Sequence, residues 1–230
     1  MVIRRLLPTP GAVDLDQAYA YPDRGSGRPT VRANMVSTVD GAASGADGLS
    51  GSLSGTGDRV VFAALRRLAD VVLVGAGTAR AERYRPAALP IAVVSGRLDL
   101  DLAAPLYAAT EHRTIVVTCG SAPADRLELV RERADVLVCG QDRVDLAAAV
   151  SELHRRGLDH ILCEGGPTLL AQVASAGLLD ELCVTIAPSL AAGYGGRILA
   201  GEPLDGGRRL SLTGLLEEDG WLFARYRTHP

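Results

Sequence analysis

Short apolar runs alternating with helical stretches constrain this chain more than any other feature. Asp70–Val74 (DVVLV), Ile91–Val94, Thr114–Val117, Val136–Cys139 and His160–Cys163 are rich in β-branched side chains and lack polar alternation. Runs of that kind predict strands buried on both faces. Helical spacing marks the segments that start at Thr56-Gly57-Asp58, run from Pro123 to Arg133 and from Val144 to Arg156, and follow Pro167. Five strands alternating with helices or loops predict a largely parallel sheet with helices on both faces. Ligands of such sheets bind beyond the carboxyl ends of the strands.

Those ends carry Gly75-Ala76-Gly77-Thr78, Ser95-Gly96-Arg97, Thr118 and Glu164-Gly165-Gly166-Pro167-Thr168. Small residues, hydroxyls and one arginine at four strand ends suit a nucleotide site. The last junction is the most telling. Gly165 and Gly166 let the backbone approach an anion closely, and the first amides of the following helix point at it unpaired. Pro167 fits a first helical turn, and Leu169, Leu170, Val173 and Ala174 continue at helical spacing. A tight turn with an ordinary helix start remains the alternative. The Gly75 junction lacks the third glycine of the dinucleotide fingerprint.

Thr30 to Val36 predicts a further strand that ends at Ser37-Thr38-Val39-Asp40-Gly41. Asp40 is either the turn residue there or a carboxylate facing a cleft. Ala42 to Gly57, built of small residues, is expected to be a mobile binding loop. Residues 1–29 are expected to form an irregular arm, because Pro8, Pro10, Pro22, Pro29, Gly11, Gly25 and Gly27 interrupt it. Residues 30–230 are expected to form a single domain. Leu182 to Ala187 predicts a strand, Gly193 to Gly196 a glycine-rich loop, and Arg208–Leu216 with Trp221–Arg227 a hairpin about Asp219-Gly220. The sheet is therefore expected to be mixed, with an antiparallel pair at one edge.

With 47% hydrophobic but only 4% aromatic residues, the core must be built from Ala, Val and Leu. A net charge of −3 argues against non-specific nucleic-acid binding. No apolar run approaches ~18 residues and the start lacks a signal-length apolar core, so a cytoplasmic protein without a membrane span is expected. Cys119, Cys139, Cys163 and Cys183 show no metal-ligand spacing and sit in apolar runs, and the histidines do not cluster, so no metal site is expected.

Three stretches in order carry a resemblance: Thr38-Val39-Asp40-Gly41, then VGAGTARAE over Val74–Glu82, then EGGPTLL over Glu164–Leu170 with Gly177–Glu181 and Ala187-Pro188 behind it. From about residue 28 to 227 the chain resembles the riboflavin-biosynthesis pyrimidine reductases, the reductase half of a bifunctional deaminase-reductase. The resemblance implies a dihydrofolate-reductase-like α/β fold, NADPH as cofactor, a small-molecule substrate and a homodimer. It implies cofactor contacts at Ser37, Thr78, Glu82, Ser95 and the backbone from Gly166 to Gln172 (Pro167, Thr168, Leu169 and Leu170 included), with Gly165 and Gly166 approaching the pyrophosphate; the strand-end reading adds Gly75, Gly77 and Thr118. Arg97 next to Ser95 suits an adenosine 2′-phosphate. Asn34, Asp40, Arg66 and Glu164 would face the substrate, and Asp40 or Glu164 would stabilise an iminium or move a proton during reduction of ribosylamino to ribitylamino. Asp40 is the first choice for that role. No H-x-E with P-C-x-x-C is present in this sequence, so a reductase without the zinc deaminase half is expected. Asn34 stands where many members carry lysine, and Arg83-Tyr84-Arg85-Pro86 replaces their acidic-proline pattern. The alternatives are an NADPH reductase of a pterin-like substrate such as dihydrofolate, and a nucleotide-binding protein without turnover.

Overall fold

The computed structural model describes residues 2–22, 27–108, 111–193, 195–204 and 206–229. Gly25 of the arm and Tyr194 of the glycine-rich loop lie outside the described residues. Seven strands run parallel: β3 (Thr30–Thr38), β4 (Val71–Gly75), β5 (Ile91–Val94), β6 (Ile115–Thr118), β7 (Asp135–Val138), β8 (His160–Cys163) and β9 (Leu179–Ala187). Their spatial order is β9-β3-β8-β4-β5-β6-β7. Beyond β9 the antiparallel pair β10 (Leu210–Glu218) and β11 (Trp221–Thr228) extends the sheet.

Burial explains why the parallel strands show no alternation. Val71 and Leu73 of β4 point into one core, with Ile161 and Cys163 of β8 and residues of two helices, α5 (Leu146–Arg155) and α6 (Pro167–Ser175). Val72 and Val74 point into the opposite core, with Val93, Val116 and two further helices, α3 (Ala76–Ala81) and α4 (Ala124–Arg133). Apolar side chains are therefore required at successive positions. A third cluster packs Val61 and Leu65 of α2 (Thr56–Leu68) on Leu162, Leu216 and Phe223. No helix among the described residues is long and apolar enough to cross a membrane.

The structure departs from the sequence reading in four places. The arm is not irregular: β1 (Arg4–Leu7) and β2 (Gly11–Ala12) form strands and α1 (Leu15–Ala18) a helical turn, and β1 pairs with β10. The C-terminal hairpin is therefore inside the sheet, and the arm supplies the edge. Strand β3 runs on through Ser37 and Thr38, because β9 supplies partners as far as Ala187. Strand β9 begins at Leu179, three residues early, with the charged pair Asp180 and Glu181 inside it. Glu181 is fully buried and takes hydrogen bonds from Arg32 Nε at 2.9 Å and Nη2 at 2.6 Å, while Asp180 accepts from the Val31 amide.

The small residues of the 42–57 loop have a packing reason. A Cβ on Gly55 would stand 2.7 Å from the Trp221 ring, and one on Gly57 would stand 1.8 Å from Glu218 Oε2. The loop is held onto the hairpin at close range, with Leu53 buried beneath it.

Candidate active site

Strand β8 ends at Cys163, and the next residue, Glu164, is buried at the rim of a cavity of about 680 Å³. Both of its oxygens are engaged. Arg66 donates from Nε to Oε1 and from Nη2 to Oε2, each at 2.7 Å, and the Tyr84 hydroxyl also donates to Oε2. Arg66 comes from the last turn of α2, where its guanidinium lies 4.5 Å from the centre of the Phe62 ring. Burial first, then the adjacent Glu164 charge, pushes the Tyr84 phenol well above its usual pKa, so it remains a donor at all ordinary pH values. The result is a carboxyl group of fixed orientation, paired with one guanidinium, in a cavity wall also formed by Asn34, Met35 and Phe62.

A second, larger groove of about 1800 Å³ lies across the carboxyl ends of β4 to β7. Gly75, Arg97, Thr168, Leu169 and Gln172 line it, as do Arg143 and Ser121. The Glu164–Thr168 junction separates groove from cavity, since Gly166 and Pro167 line the cavity while Thr168 and Leu169 line the groove. Helix α6 starts at Pro167 with no side-chain cap, leaving the amides of its first turn to a ligand or water. The junction is tight: the Gly75 amide donates to Gly165 O at 2.7 Å, and a Cβ on Gly166 would lie 2.4 Å from Thr78 Oγ1. Gly165 has φ +79° with Met35 Sδ 3.1 Å from where a Cβ would be, so both glycines answer to backbone conformation or space.

The expected site residues divide by location. Asn34, Arg66, Gly77, Thr78, Glu82, Glu164, Gly166 and Pro167 line the cavity. Ser37, Asp40, Ser95, Thr118, Gly165 and Leu170 line neither space. Thr118 and Leu170 are fully buried. Glu82 lies on the cavity side and accepts from the Ser50 amide and hydroxyl, both at 2.8 Å, which ties the 48–53 loop to the end of α3. Among the described residues, the cavity also contains groups the sequence reading passed over. Asp58, buried at the start of α2, accepts from Ser54 and Thr185 hydroxyls at 2.6 Å each. Tyr84, Arg59, Arg83 and Arg85 line it too. The only available signal for Tyr84 was its place in the unusual Arg83–Pro86 stretch.

Asp40, the first choice for chemistry, is exposed and committed elsewhere. The Thr38 hydroxyl donates to Oδ1, and the Ala191 and Ala192 amides donate to the carboxylate, the latter at 2.7 Å. It anchors Ala191 and Ala192 to the turn after β3, and Gly196 lines the cavity wall. These hydrogen bonds, the Thr38 hydroxyl first and the two amides next, lower its pKa to about 2. A lowered pKa means the anchor is complete above the ordinary carboxylate range and is lost only as pH falls through the folded value. The Ala191 and Ala192 amide shifts are therefore expected to stay flat through 3.8 and to move only near pH 2, read by two-dimensional NMR. A midpoint at 3.8 would show an unengaged carboxylate.

A parallel sheet with two adjoining ligand spaces, parted by a glycine junction and an uncapped helix start, defines an α/β small-molecule-binding domain. The chain belongs to the RibD C-terminal domain family, whose model matches residues 29–217. It is 34% identical over 188 residues to the 2,5-diamino-6-ribosylamino-4(3H)-pyrimidinone 5′-phosphate reductase of Methanothermobacter thermautotrophicus, covering 77% of this chain and 87% of the relative. The reductase of the same description from Archaeoglobus fulgidus is 30% identical over 184 residues, covering 72% and 83%. Among solved structures, a pyrimidine reductase-like protein from Corynebacterium diphtheriae superposes with a TM-score of 0.83 at 29% identity, covering 95% of this chain and all of the other. The homologues are reductases, and the mixed, mostly parallel architecture is the one expected.

Proposed function

We propose that this chain is an NADPH-dependent reductase that converts the ribosylamino group of a pyrimidinone ribose phosphate to ribitylamino. The observation that carries this reading is the Glu164–Arg66–Tyr84 assembly in a cavity wall shared, through the α6 start, with the groove. The similarity to the archaeal reductases, at up to 34% identity, supplies the substrate class.

The groove suits a dinucleotide by its own residues. Uncapped α6 amides beside Gly166 suit a pyrophosphate, and Arg97 and Arg143 lie farther along it for an adenosine phosphate. The cofactor, when bound, supplies the hydride. The protein's part is positioning and charge. Glu164 presents fixed negative charge to the polar edge of the pyrimidine and to an iminium forming nearby. Asn34 offers both a donor and an acceptor from β3, the strand beside β8. Tyr84 holds its proton too tightly to give it up at neutral pH, so it orients Glu164, and the proton that completes reduction comes from solvent.

Oxidation of NADPH at 340 nm with the pyrimidinone ribose phosphate tests the reading. Turnover supports it, and turnover with dihydrofolate alone would move the substrate class to the pterins. NADPH is expected to bind at least ~10-fold more tightly than NADH, and Arg97→Ala to lose most of that preference, because one charge-assisted contact is worth ~1.5–3 kcal/mol. Calorimetry checks both. Equal affinities in the wild type would remove the selectivity, and an unchanged mutant would clear Arg97.

A further inference from the structure

Past the end of β5 the chain turns back over residues 95–100, and that turn holds an unusual backbone. Leu98 has φ +52°, a left-handed conformation rare for leucine, and its side chain is fully buried in the core on the α3 and α4 side. A residue stays in that conformation only where its surroundings fix it. Burial fixes the side chain. The carbonyl is fixed by Arg126 of α4, which donates to Leu98 O from Nε at 3.3 Å and from Nη2 at 3.1 Å. Nη2 also donates to Leu100 O at 2.9 Å, and the Leu100 amide closes the turn on Leu98 O at 2.9 Å.

Nothing local accounts for Arg126. It stands in the first turn of α4, where the helix dipole disfavours a cation. Among the described residues its hydrogen bonds all go to backbone carbonyls and none to a carboxylate. A planar guanidinium can serve two carbonyls at once, which an ammonium cannot do in the same fixed geometry. From the α3 side, Arg80 donates to Asp99 O and pairs with the Asp99 carboxylate at 3.0 Å, but that contact is exposed and weaker.

The turn carries Arg97. At its start the Ser95 amide donates to Val117 O at 2.9 Å, and at its end stand Leu98 and Arg126. Arg97 lies between these fixed points and lines the groove, whereas Arg126 does not.

We infer that Arg126 is a positioning residue for the cofactor: it holds the turn in the form that aims Arg97 at the adenosine 2′-phosphate. It thereby sets the preference for NADPH over NADH through Arg97. The inference rests on the proposed assignment of Arg97 to that phosphate.

Calorimetry with NADPH and NADH on the full-length chain tests it, with thermal melts as the folding control. The wild-type preference of at least ~10-fold is expected to fall at least ~5-fold in Arg126→Ala, with NADH affinity unchanged. Arg126→Lys keeps the charge but not the fork, so it should lose about 3-fold. Once Arg97 is gone Arg126 has nothing to aim, so Arg97→Ala/Arg126→Ala should show the same preference as Arg97→Ala alone. Arg131→Ala removes an exposed charge from the same helix and should change nothing. A wild-type preference in Arg126→Ala, or equal weakening of both cofactors, would overturn the inference and leave Arg126 a structural tie. Independent, additive losses in the double variant would overturn it too, as would an equal fall in Arg131→Ala, which would indicate a long-range charge effect. If Arg126→Ala does not fold, a full wild-type preference in Arg126→Lys overturns it. Equal affinities in the wild type would remove the cofactor reading and this inference together. A preference lost in Arg97→Ala but kept in Arg126→Ala would remove the inference alone.

Discussion

Glu164→Gln is expected to lower kcat with the pyrimidinone substrate by at least ~10²-fold, ~2.7 kcal/mol of transition-state stabilisation, while leaving NADPH affinity nearly unchanged. The substitution keeps shape and removes charge. In the wild type both carboxylate oxygens are oriented by Arg66 and Tyr84, so the negative charge faces the cavity in one geometry. An amide in its place can accept at only one atom and turns its NH₂ toward a guanidinium that cannot accept. Arg66 retains 24% side-chain exposure, so water can solvate it in the variant and the fold should survive. Tyr84→Phe separates charge from orientation, since the carboxylate then keeps its charge and loses one donor. Its effect should be smaller, on the order of 10-fold. Single-turnover rates, with thermal melts as the folding control, decide the matter. A near wild-type rate for Glu164→Gln would reduce Glu164 to a structural tie for Arg66.

The largest stability effect is expected from Arg32→Met, at ~3–5 kcal/mol. The Arg32 and Glu181 side chains are both fully buried between β3 and β9, and Arg32 also donates to Tyr19 O at 2.6 Å, holding the arm on the sheet. The guanidinium lies 3.8 Å from the centre of the Tyr21 ring. Removing it leaves Glu181 buried with only the Arg227 guanidinium, 3.7 Å from an oxygen that has no hydrogen bond in the wild type, to offset its charge. The double variant Arg32→Met/Glu181→Leu should recover most of the loss, because the cost lies in the orphaned charge and not in the missing pair. Urea unfolding of the three proteins measures both terms. A single-variant loss below ~1 kcal/mol would mean that water reaches Glu181.

The parallel strands were legible in the sequence because each needs apolar residues on both faces, a pattern that survives without partners being known. Strand β9 shows where that logic stops. Asp180 and Glu181 look like the end of a helix–strand connection until Arg28 and Arg32, some 150 residues away, neutralise them. The arm was misjudged for a similar reason: β1 exists because β10 offers it an edge, and nothing local announces that. At the site, the glycine junction was readable because close approach has a local signature. The standing of Asp40 and Glu164 was not. Both are carboxylates just past a strand, and only the fold shows that Asp40 is taken up by the Ala191 and Ala192 amides while Glu164 opens on the cavity. Tyr84, Arg83 and Arg85 converge through a left-handed turn that no spacing rule foresees.

The position of β3 has a consequence for how the chain reaches this state. It is the first long strand made by the ribosome, yet its neighbours are β8 and β9, which follow it by more than a hundred residues. During synthesis β4 to β7 can assemble with α3 and α4 while β3 waits with both edges open, and β1 waits longer still for β10. Pairings this distant in sequence slow folding, and open edges recruit other chains. Lowered temperature or chaperone supply during expression should therefore raise the folded yield mainly by protecting the nascent β3. Truncation before β9 should leave aggregate in place of a smaller domain.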